Sequence, residues 1–165
     1  MLRRPRKEDA REIYERYAAD PEVTRYLVWR PHKSMEETEI FLNRCTEVWN
    51  NSVAFPWVIV PKENGHVAGM LEIRIAGHIA DLGYVLAKPF WRRGYMTEAV
   101  REVVNWAFSQ PSIYRIWAVC DVDNPASLRV LEKVGMKSEG ILKRWIIHPN
   151  IASEPRDSYC YALTK

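Results

Sequence analysis

The sequence predicts an α+β fold: a mixed, mostly antiparallel sheet of about seven strands with flanking helices. Three strand-like runs, at 55–60, 66–75 and 81–86, follow one another with only short turns between them, as in an antiparallel meander. Stretches with helical periodicity precede and follow this meander. No repeat, linker or low-complexity segment divides the chain, so residues 1–165 are expected to form a single domain.

The N-terminal part predicts one short strand and three helical segments. Residues 2–5 suit a strand, 9–17 a helix that Asp20-Pro21 ends, and 22–27 a further helical turn. Ser34 is followed three residues later by Glu37, a capping-box spacing that predicts a helix start. The apolar positions of this helix, which should end near Asn50, are Phe41, Leu42, Cys45, Val48 and Trp49.

The centre of the chain, residues 81–108, predicts a strand, a basic turn and a long helix. Asp81, Leu82, Gly83 and Tyr84 alternate with the two-residue period of a strand, and Pro89 ends the pattern. The turn brings together unpaired backbone N–H groups, the positive end of the helix dipole and two guanidinium groups. Its residues, Arg92-Arg93-Gly94-Tyr95-Met96-Thr97, predict either a phosphate-binding turn or a connection whose arginines face solvent. The apolar stripe of the helix consists of Val100, Val103, Val104, Ala107 and Phe108.

The C-terminal part predicts one more helix and three more strands. The strands are expected at 114–120, 138–147 and 158–163. Asn124 suits the N-cap of the helix, Pro125 suits its first position, and Gly135 suits the residue that ends it.

Composition narrows the class of protein. The net charge of +3 is a small basic excess for nucleic-acid binding, which stays an alternative through Arg3, Arg4, Arg6 and Lys7. Three cysteines without a CxxC pair predict buried thiols in a reducing compartment. With no apolar secretory signal and no run able to span a bilayer, a cytoplasmic protein without a membrane partner is expected. The four histidines lack metal-ligand spacing, so no catalytic metal is predicted.

Three blocks of the sequence resemble a known family. They are LRRPRKEDA at the start, LGYVLAKPFWRRGYMTEAV in the centre and DNPASLRVLEKVGMKSEGILK after it. With these blocks the chain resembles the GNAT superfamily of acyl-CoA-dependent N-acyltransferases, and within it the RimJ/RimL branch, which acetylates protein N-terminal amines. Of the superfamily's general pyrophosphate pattern only Gly94 is kept, because Trp91 and Met96 stand at two of its other positions. The resemblance implies acetyl-CoA as cosubstrate and α/β/α layers.

The resemblance also implies roles for individual residues. Backbone N–H groups from Arg92 to Thr97 would hold the pyrophosphate of acetyl-CoA, and Arg92 or Arg93 would add charge-assisted bonds. The strand that ends at Val85-Leu86 would diverge from the strand at 116–119, and the pantetheine arm would pair with strand backbone in that slot. Asn124 would bond the pantetheine, unless it is only a helix cap. Ser127 would protonate the leaving thiolate; the alternative is that Ser127 is simply an exposed polar residue.

The chemistry of acetyl transfer indicates which amine is accepted. An N–H near Val85 would stabilise the oxyanion. The resemblance implies Asp81 as the base, since it stands where some GNAT enzymes carry a glutamate, and it would act through water; Glu72 is the second candidate and an ordinary solvated aspartate the alternative. Neutralising an α-amine with a pKa of about 7.8 costs roughly 1 kcal/mol at pH 7, whereas a lysine at about 10.4 costs roughly 4–5 kcal/mol. A base this weak therefore predicts an α-amine acceptor.

Other parts of the function stay open. Trp29, Arg30 and His32, with the loop at 149–156, are predicted to line the acceptor entrance, unless they form ordinary surface loops. The acceptor could instead be a small amine such as an antibiotic or polyamine, and the domain could also bind acyl-CoA without catalysis. A monomer or a homodimer is expected.

Overall fold

A computed structural model describes residues 1–165, and its elements follow the predicted order closely. The strands are β1 (Leu2–Arg3), β2 (Ala54–Ile59), β3 (Gly69–Ala76), β4 (Ile79–Leu86), β5 (Arg115–Asp121), β6 (Lys137–Ile146) and β7 (Arg156–Thr164). The helices are α1 (Ala10–Ile13), which lies between a 3-10 turn (Lys7–Asp9) and a π turn (Tyr14–Ala18), then α2 (Met35–Asn50), α3 (Tyr95–Ser109) and α4 (Pro125–Lys133). A further 3-10 turn spans Lys88–Phe90.

All seven strands form one sheet in the order β1-β2-β3-β4-β5-β7-β6. Neighbouring strands are antiparallel except β4 and β5, which are parallel. The predicted fold class and the meander of β2, β3 and β4 are therefore confirmed. The parallel pair is short, because only Ile79, Ala80 and Asp81 of β4 have partners on β5.

Helix α3 covers one face of the sheet. Its Trp106 ring packs against Phe55 and Trp57 of β2, with ring centroids 5.1 and 5.0 Å apart. Those two residues pair with Ile73 and Leu71 of β3, which are fully buried. The apolar stripe predicted for α3 is buried at Val100, Val103, Val104 and Ala107. Helix α4 packs beside α3.

Helix α2 covers the opposite face near Glu72, while the Trp49 ring at its C-terminal end packs against Phe55 and Trp57, with ring centroids 5.4 and 5.2 Å apart. Glu72 of β3 alternates with the buried Leu71 and Ile73 and lies near Cys45 of α2. Burial, together with this carboxylate, raises the pKa of the Cys45 thiol to about 12. The α/β/α layers are confirmed, and the face that carries Glu72 is called the α2 face below.

Residues 22–27 form isolated turns and no regular helix. The N–H of Thr24 bonds the carbonyl of Asp20 at 3.0 Å, and the N–H of Leu27 bonds that of Thr24 at 2.9 Å. The Oδ1 atom of Asp20 accepts hydrogen bonds from the backbone N–H groups of Glu22 and Val23, at 2.8 and 3.3 Å. The hydroxyl of Thr24 bonds the carbonyl of Asp20 at 2.9 Å. These side-chain bonds hold the chain in a turn and compete with helical pairing.

Two element starts also differ in detail from the sequence prediction. Strand β3 begins at Gly69 and not near His66, because the Glu12 carboxylate binds the His66 ring at 2.7 Å and the Val67 N–H at 2.6 Å. At the start of α2, Ser34 Oγ accepts from the Glu37 N–H as predicted. The Glu37 carboxylate, however, accepts from the N–H of Lys33, one residue before the cap.

Cys45, Cys120 and Cys160 are buried free thiols, as predicted. The compartment stays a prediction. No helix has the length and apolar character that a bilayer crossing requires. No three His, Cys, Asp or Glu side chains come together in a metal-binding arrangement.

Candidate active site

A slot opens in the sheet where β4 and β5 separate. Beyond the Asp81–Trp117 pair, β4 continues to Leu86 and β5 to Asp121 without a bridge between them. The other edge of β4 stays paired with β3 along its whole length. Gly69 of β3 keeps that contact close, because a Cβ there would lie 2.3 Å from the carbonyl oxygen of Val85. The edge of β4 that faces β5 therefore presents backbone polar groups without strand partners beyond Asp81. The N–H of Val85 itself points to β3, like that of Ala87, which bonds the carbonyl of Ala68 at 2.8 Å.

The turn between β4 and α3 presents a row of free N–H groups. The first hydrogen bond of α3 runs from Glu98 N to Gly94 O at 3.0 Å, and the N–H groups from Arg92 to Thr97 have no partner in the protein. Arg92 and Gly94 have φ values of 60° and 86°, in the left-handed region. A Cβ on Gly94 would meet no atom within 4 Å, so the space in front of the helix is open. This arrangement fits an anion of pyrophosphate size.

The side chains of the turn differ in how firmly they are held. The Arg93 guanidinium lies 3.7 Å from the Glu63 carboxylate and 5.1 Å from the Tyr95 ring centroid. The Tyr95 hydroxyl donates to the same carboxylate. Arg92 has no ion pair, so its guanidinium is the one available to a ligand. The indole N–H of Trp91 donates to the carbonyl of Leu86 at 2.6 Å, which ties the turn back to β4 and occupies that carbonyl.

Helix α4 brings Asn124 and Ser127 to the side of the slot. Asn124 caps the helix by accepting from the Ser127 N–H at 3.2 Å, and its amide nitrogen has no partner. The Ser127 hydroxyl lies 2.8 Å from the hydroxyl of Tyr84 on β4. Burial raises the pKa of Tyr84 above its ordinary value, so the phenol keeps its proton at neutral pH. Tyr84 is a candidate that the sequence analysis missed, since it appeared there only as part of a strand pattern.

The two predicted base candidates share one arginine on the α2 face. Arg74 donates from Nε to Oδ2 of Asp81 at 2.8 Å and from Nη1 to Glu72 at 2.8 Å. A second contact from Arg74 also falls on Oδ2 of Asp81. The other oxygen of Asp81, Oδ1, therefore has no partner and can accept from water or an amine. Asp81 is ion-paired to Arg74, and its role as the base stays a prediction.

The predicted entrance residues are brought together with the β6–β7 loop. The Asn150 amide nitrogen donates to the carbonyls of Thr24 and Trp29, at 2.7 and 2.8 Å. The His32 ring bonds Thr38 of α2 at 2.8 Å, and burial lowers the pKa of His32. Arg30 is exposed and makes no hydrogen bond. The two loops thus form one connected surface, in which His32 has a structural role.

A buried charged cluster lies below these loops at the end of β5. Arg156 binds Asp121 at 2.6 and 3.0 Å and Asp123 at 2.6 Å. His148 Nε2 is 3.7 Å from Asp121 Oδ2, and neither ring nitrogen has a hydrogen-bond partner. Burial lowers the pKa of His148, against the opposing effect of the Asp121 carboxylate. No spacing in the sequence predicted this cluster, because Asp121 and Arg156 are 35 residues apart in the chain.

A cavity lies away from the slot and the turn. Its volume is about 460 Å³, and it is lined by residues of β1, β2, α2 and α3, including Trp49, Trp57 and Trp106. None of the residues of the slot or the turn lines it. Arg4 stacks on Trp49 at 4.4 Å, and Arg3 binds Asp9 at 2.6 and 2.8 Å. Two of the four basic residues behind the nucleic-acid alternative are therefore engaged in the fold.

Comparisons with known proteins agree with this geometry. The family profile of the acetyltransferase (GNAT) domain matches residues 1–137. The uncharacterized N-acetyltransferase YoaA of Bacillus subtilis is 27% identical over 168 residues, which cover 100% of this chain and 93% of that protein. YnaD of the same organism, also an uncharacterized N-acetyltransferase, is 29% identical over 164 residues, or 99% of this chain and 92% of its own.

Solved structures share the fold over nearly the whole chain. A GNAT-family acetyltransferase from Bacillus anthracis has a TM-score of 0.84 at 27% identity, covering 99% of this chain and 93% of its own. RimL, a ribosomal L7/L12 α-N-protein acetyltransferase solved with coenzyme A, has a TM-score of 0.88 at 22% identity, with coverage of 99% and 92%. The spermidine N-acetyltransferase of Vibrio cholerae, solved with CoA and spermine, has a TM-score of 0.82 at 17% identity, with coverage of 99% and 94%. The chain therefore belongs to the GNAT family of acetyl-CoA-dependent N-acetyltransferases, as its sequence blocks predicted.

Proposed function

We propose that this enzyme acetylates the α-amine of a protein or peptide N-terminus by direct attack of the amine on acetyl-CoA in a ternary complex. One observation carries the proposal: the slot between β4 and β5 leads directly to the free N–H groups of the turn before α3. A ligand with an anionic end and a thioester end fits such a path. Acetyl-CoA supplies the acetyl group as an activated thioester.

Binding would use backbone more than side chains. The N–H groups from Arg92 to Thr97 would hold the pyrophosphate, and Arg92 would add a charge-assisted bond. The free edge of β4 near Val85 would pair with the pantetheine amides, as an added strand does. The amide nitrogen of Asn124 is free to donate to a pantetheine carbonyl while its oxygen keeps capping α4.

Ser127 would give its proton to the leaving sulfur, with Tyr84 as a positioning residue. If the Tyr84 hydroxyl donates to Ser127 Oγ, the proton of Ser127 stays free to face the slot. Burial raises the pKa of Tyr84, so the phenol keeps a proton to donate, either to Ser127 Oγ at 2.8 Å or to the Ser127 carbonyl at 3.3 Å. In the first case, rotation of the Ser127 hydroxyl is restricted to geometries that serve the sulfur.

Asp81 would accept a proton from the amine through water, using its free Oδ1 atom. A carboxylate is a weak base, and Asp81 lies in an ion pair with Arg74. A weak base suits an amine of which a substantial fraction is already neutral near pH 7. An α-amine meets this condition, because its neutralisation costs roughly 1 kcal/mol, against roughly 4–5 kcal/mol for a lysine.

An acceptor screen tests the proposal. Purified protein is incubated with acetyl-CoA and one of three acceptors: a lysine-free peptide with a free N-terminus, an N-acetylated peptide with one lysine, or spermidine. Release of free thiol is followed, and acetyl-CoA binding is measured separately by thermal shift. We expect the free N-terminus to give the highest kcat/KM. A preference for lysine or spermidine would refute the α-amine acceptor, and binding of acetyl-CoA without turnover of any amine would refute catalysis.

A further inference from the structure

We infer that Trp117 and Trp145 form an acceptor subsite that selects amines with a large apolar or aromatic side chain next to the nitrogen. The inference rests on the proposed acetylation of α-amines and names the first residue of the acceptor. It therefore separates N-terminal peptides that begin with residues such as leucine or phenylalanine from those that begin with small or charged residues.

Trp117 lies beside the predicted base. It is the register partner of Asp81 in the last bridge before the strands separate, and register partners in a sheet point to the same face. Its neighbours Ile116 and Ala118 are buried on the opposite face, whereas Trp117 is only half-buried. Ser127 and Tyr84 close the α4 side of the slot, so an amine would reach it from the α2 face, next to this indole.

The Trp145 ring lies beside the Trp117 ring, and the two rings form the sides of an open recess, called the corner below. Strand β6 is separated from β5 by β7, yet the Trp145 ring lies 6.5 Å from the Trp117 ring at an interplanar angle of 68°. The intervening strand carries only small, buried side chains on this face: Ser158, Cys160 and Ala162. These residues form a floor between the two rings. Trp145 is 50% exposed, so the corner is open to a ligand.

No helix makes its principal sheet contacts at the corner. The principal contacts of helices with the sheet are those of α2 with β2, α3 with β3 and β4, and α4 with β5, so the α2 face of β7 and β6 has no helix of its own. An exposed aromatic pair beside a reaction centre is typical of a binding surface.

The charged groups around the corner are already paired. Arg115 binds Glu139 at 2.8 Å, Arg156 binds Asp121 at 2.6 Å, and Arg74 binds Asp81. Of these carboxylates, Asp81 keeps one free oxygen, Oδ1, so the corner offers the amine one acceptor and an apolar side chain two indole rings. The chemistry of the corner favours an acceptor with one amine and an apolar neighbour.

The test uses lysine-free peptides that are identical except for the first residue, which is Leu, Phe, Ala or Asp. We expect kcat/KM for the Leu and Phe peptides to exceed that for the Ala peptide by about 10-fold, the usual scale for extra methylene groups in an apolar site. In Trp145→Ala, the Leu-to-Ala ratio is expected to fall to about 2. Because the readout is a ratio between substrates, a general loss of activity in the variant does not affect it.

Ile141→Ala is the matched control. Ile141 is 45% exposed on the same strand and pairs with Tyr159 of β7. Two residues further along β7, the Tyr161 hydroxyl contacts Glu132 of α4, so Ile141 faces the α4 side and not the corner. This variant is expected to keep the wild-type ratio.

Three results would overturn the inference: equal kcat/KM for the Leu and Ala peptides, a preference for Asp, or an unchanged ratio in Trp145→Ala. Failure of the proposed function looks different, because then no peptide is acetylated while acetyl-CoA still raises the Tm. Turnover of spermidine in that situation would overturn both proposals.

Discussion

The hydroxyl of Tyr84 can be removed without removing the ring that packs beside the slot. In Tyr84→Phe, the lost 2.8 Å hydrogen bond to Ser127 joins two uncharged groups, and such bonds contribute about 0.5–1.5 kcal/mol. If Tyr84 holds Ser127 for protonation of the sulfur, this energy lowers kcat by roughly 2- to 13-fold. Ser127→Ala removes the proton donor itself, and the expected loss is roughly 10²- to 10⁴-fold.

The double variant decides whether Tyr84 acts through Ser127. With alanine at 127, the Tyr84 hydroxyl has no side chain to position, so Tyr84→Phe should then have no further effect on kcat. The assay is steady-state thiol release at saturating acetyl-CoA and acceptor, with KM for acetyl-CoA measured in each variant. Tyr17→Phe is the control, because the Tyr17 hydroxyl is buried without a partner and lies in the core.

An equal loss of kcat from Tyr84→Phe in the wild-type protein and in Ser127→Ala would refute the positioning of Ser127 by Tyr84. An increase in KM for acetyl-CoA at constant kcat would also refute it, since Tyr84 would then serve binding alone. Tyr17→Phe is expected to keep the wild-type kcat, and a similar loss there would point to a general effect of removing buried hydroxyls.

Three further changes probe the site. Arg92→Ala should weaken acetyl-CoA binding by about 10-fold, because it removes one charge-assisted hydrogen bond. Arg93→Ala should weaken binding by less, because the Arg93 guanidinium lies beside the Glu63 carboxylate. Titration calorimetry measures the Kd of each variant. Asp81→Asn should lower kcat by about 10-fold or more. Glu72→Gln removes the other carboxylate that binds Arg74 and should leave kcat unchanged. Equal losses of kcat in both variants would assign the effect to Arg74. The pKa of His148 is lowered in the folded state, so the unfolded chain binds a proton at this imidazole more readily. Tm should therefore fall as the pH drops below about 6.5, and it should fall less in His148→Asn. An identical pH profile of Tm in the variant would contradict this.

Local patterns account for what could be predicted of the fold. The alternation around Asp81 and the stripe on α3 depend on neighbours within one or two turns of the chain. The cap at Asn124 and the left-handed residue at Gly94 are equally local, since their chemistry is set by a few adjacent residues. For this reason the sequence also placed the turn of free N–H groups before α3.

Contacts between distant residues account for what was missed. Tyr84 and Ser127 are 43 residues apart, and Glu12 reaches Val67 across 55 residues to set the start of β3. Arg74 joins two carboxylates that the sequence offered as independent candidates. No spacing rule encodes such pairs, because they depend on which strands become neighbours after folding.

The seam of three residue pairs between β4 and β5 has a consequence for how the protein opens. It divides the sheet into a four-stranded half, β1 to β4, and a three-stranded half, β5 to β7, and few backbone hydrogen bonds cross between them. Such a boundary favours sub-global opening, in which one half loosens while the other stays folded. A thioester ligand bound in the slot would contact both halves and link their opening. Amide protons on both sides should then exchange more slowly, and with a common rate, when the ligand is bound.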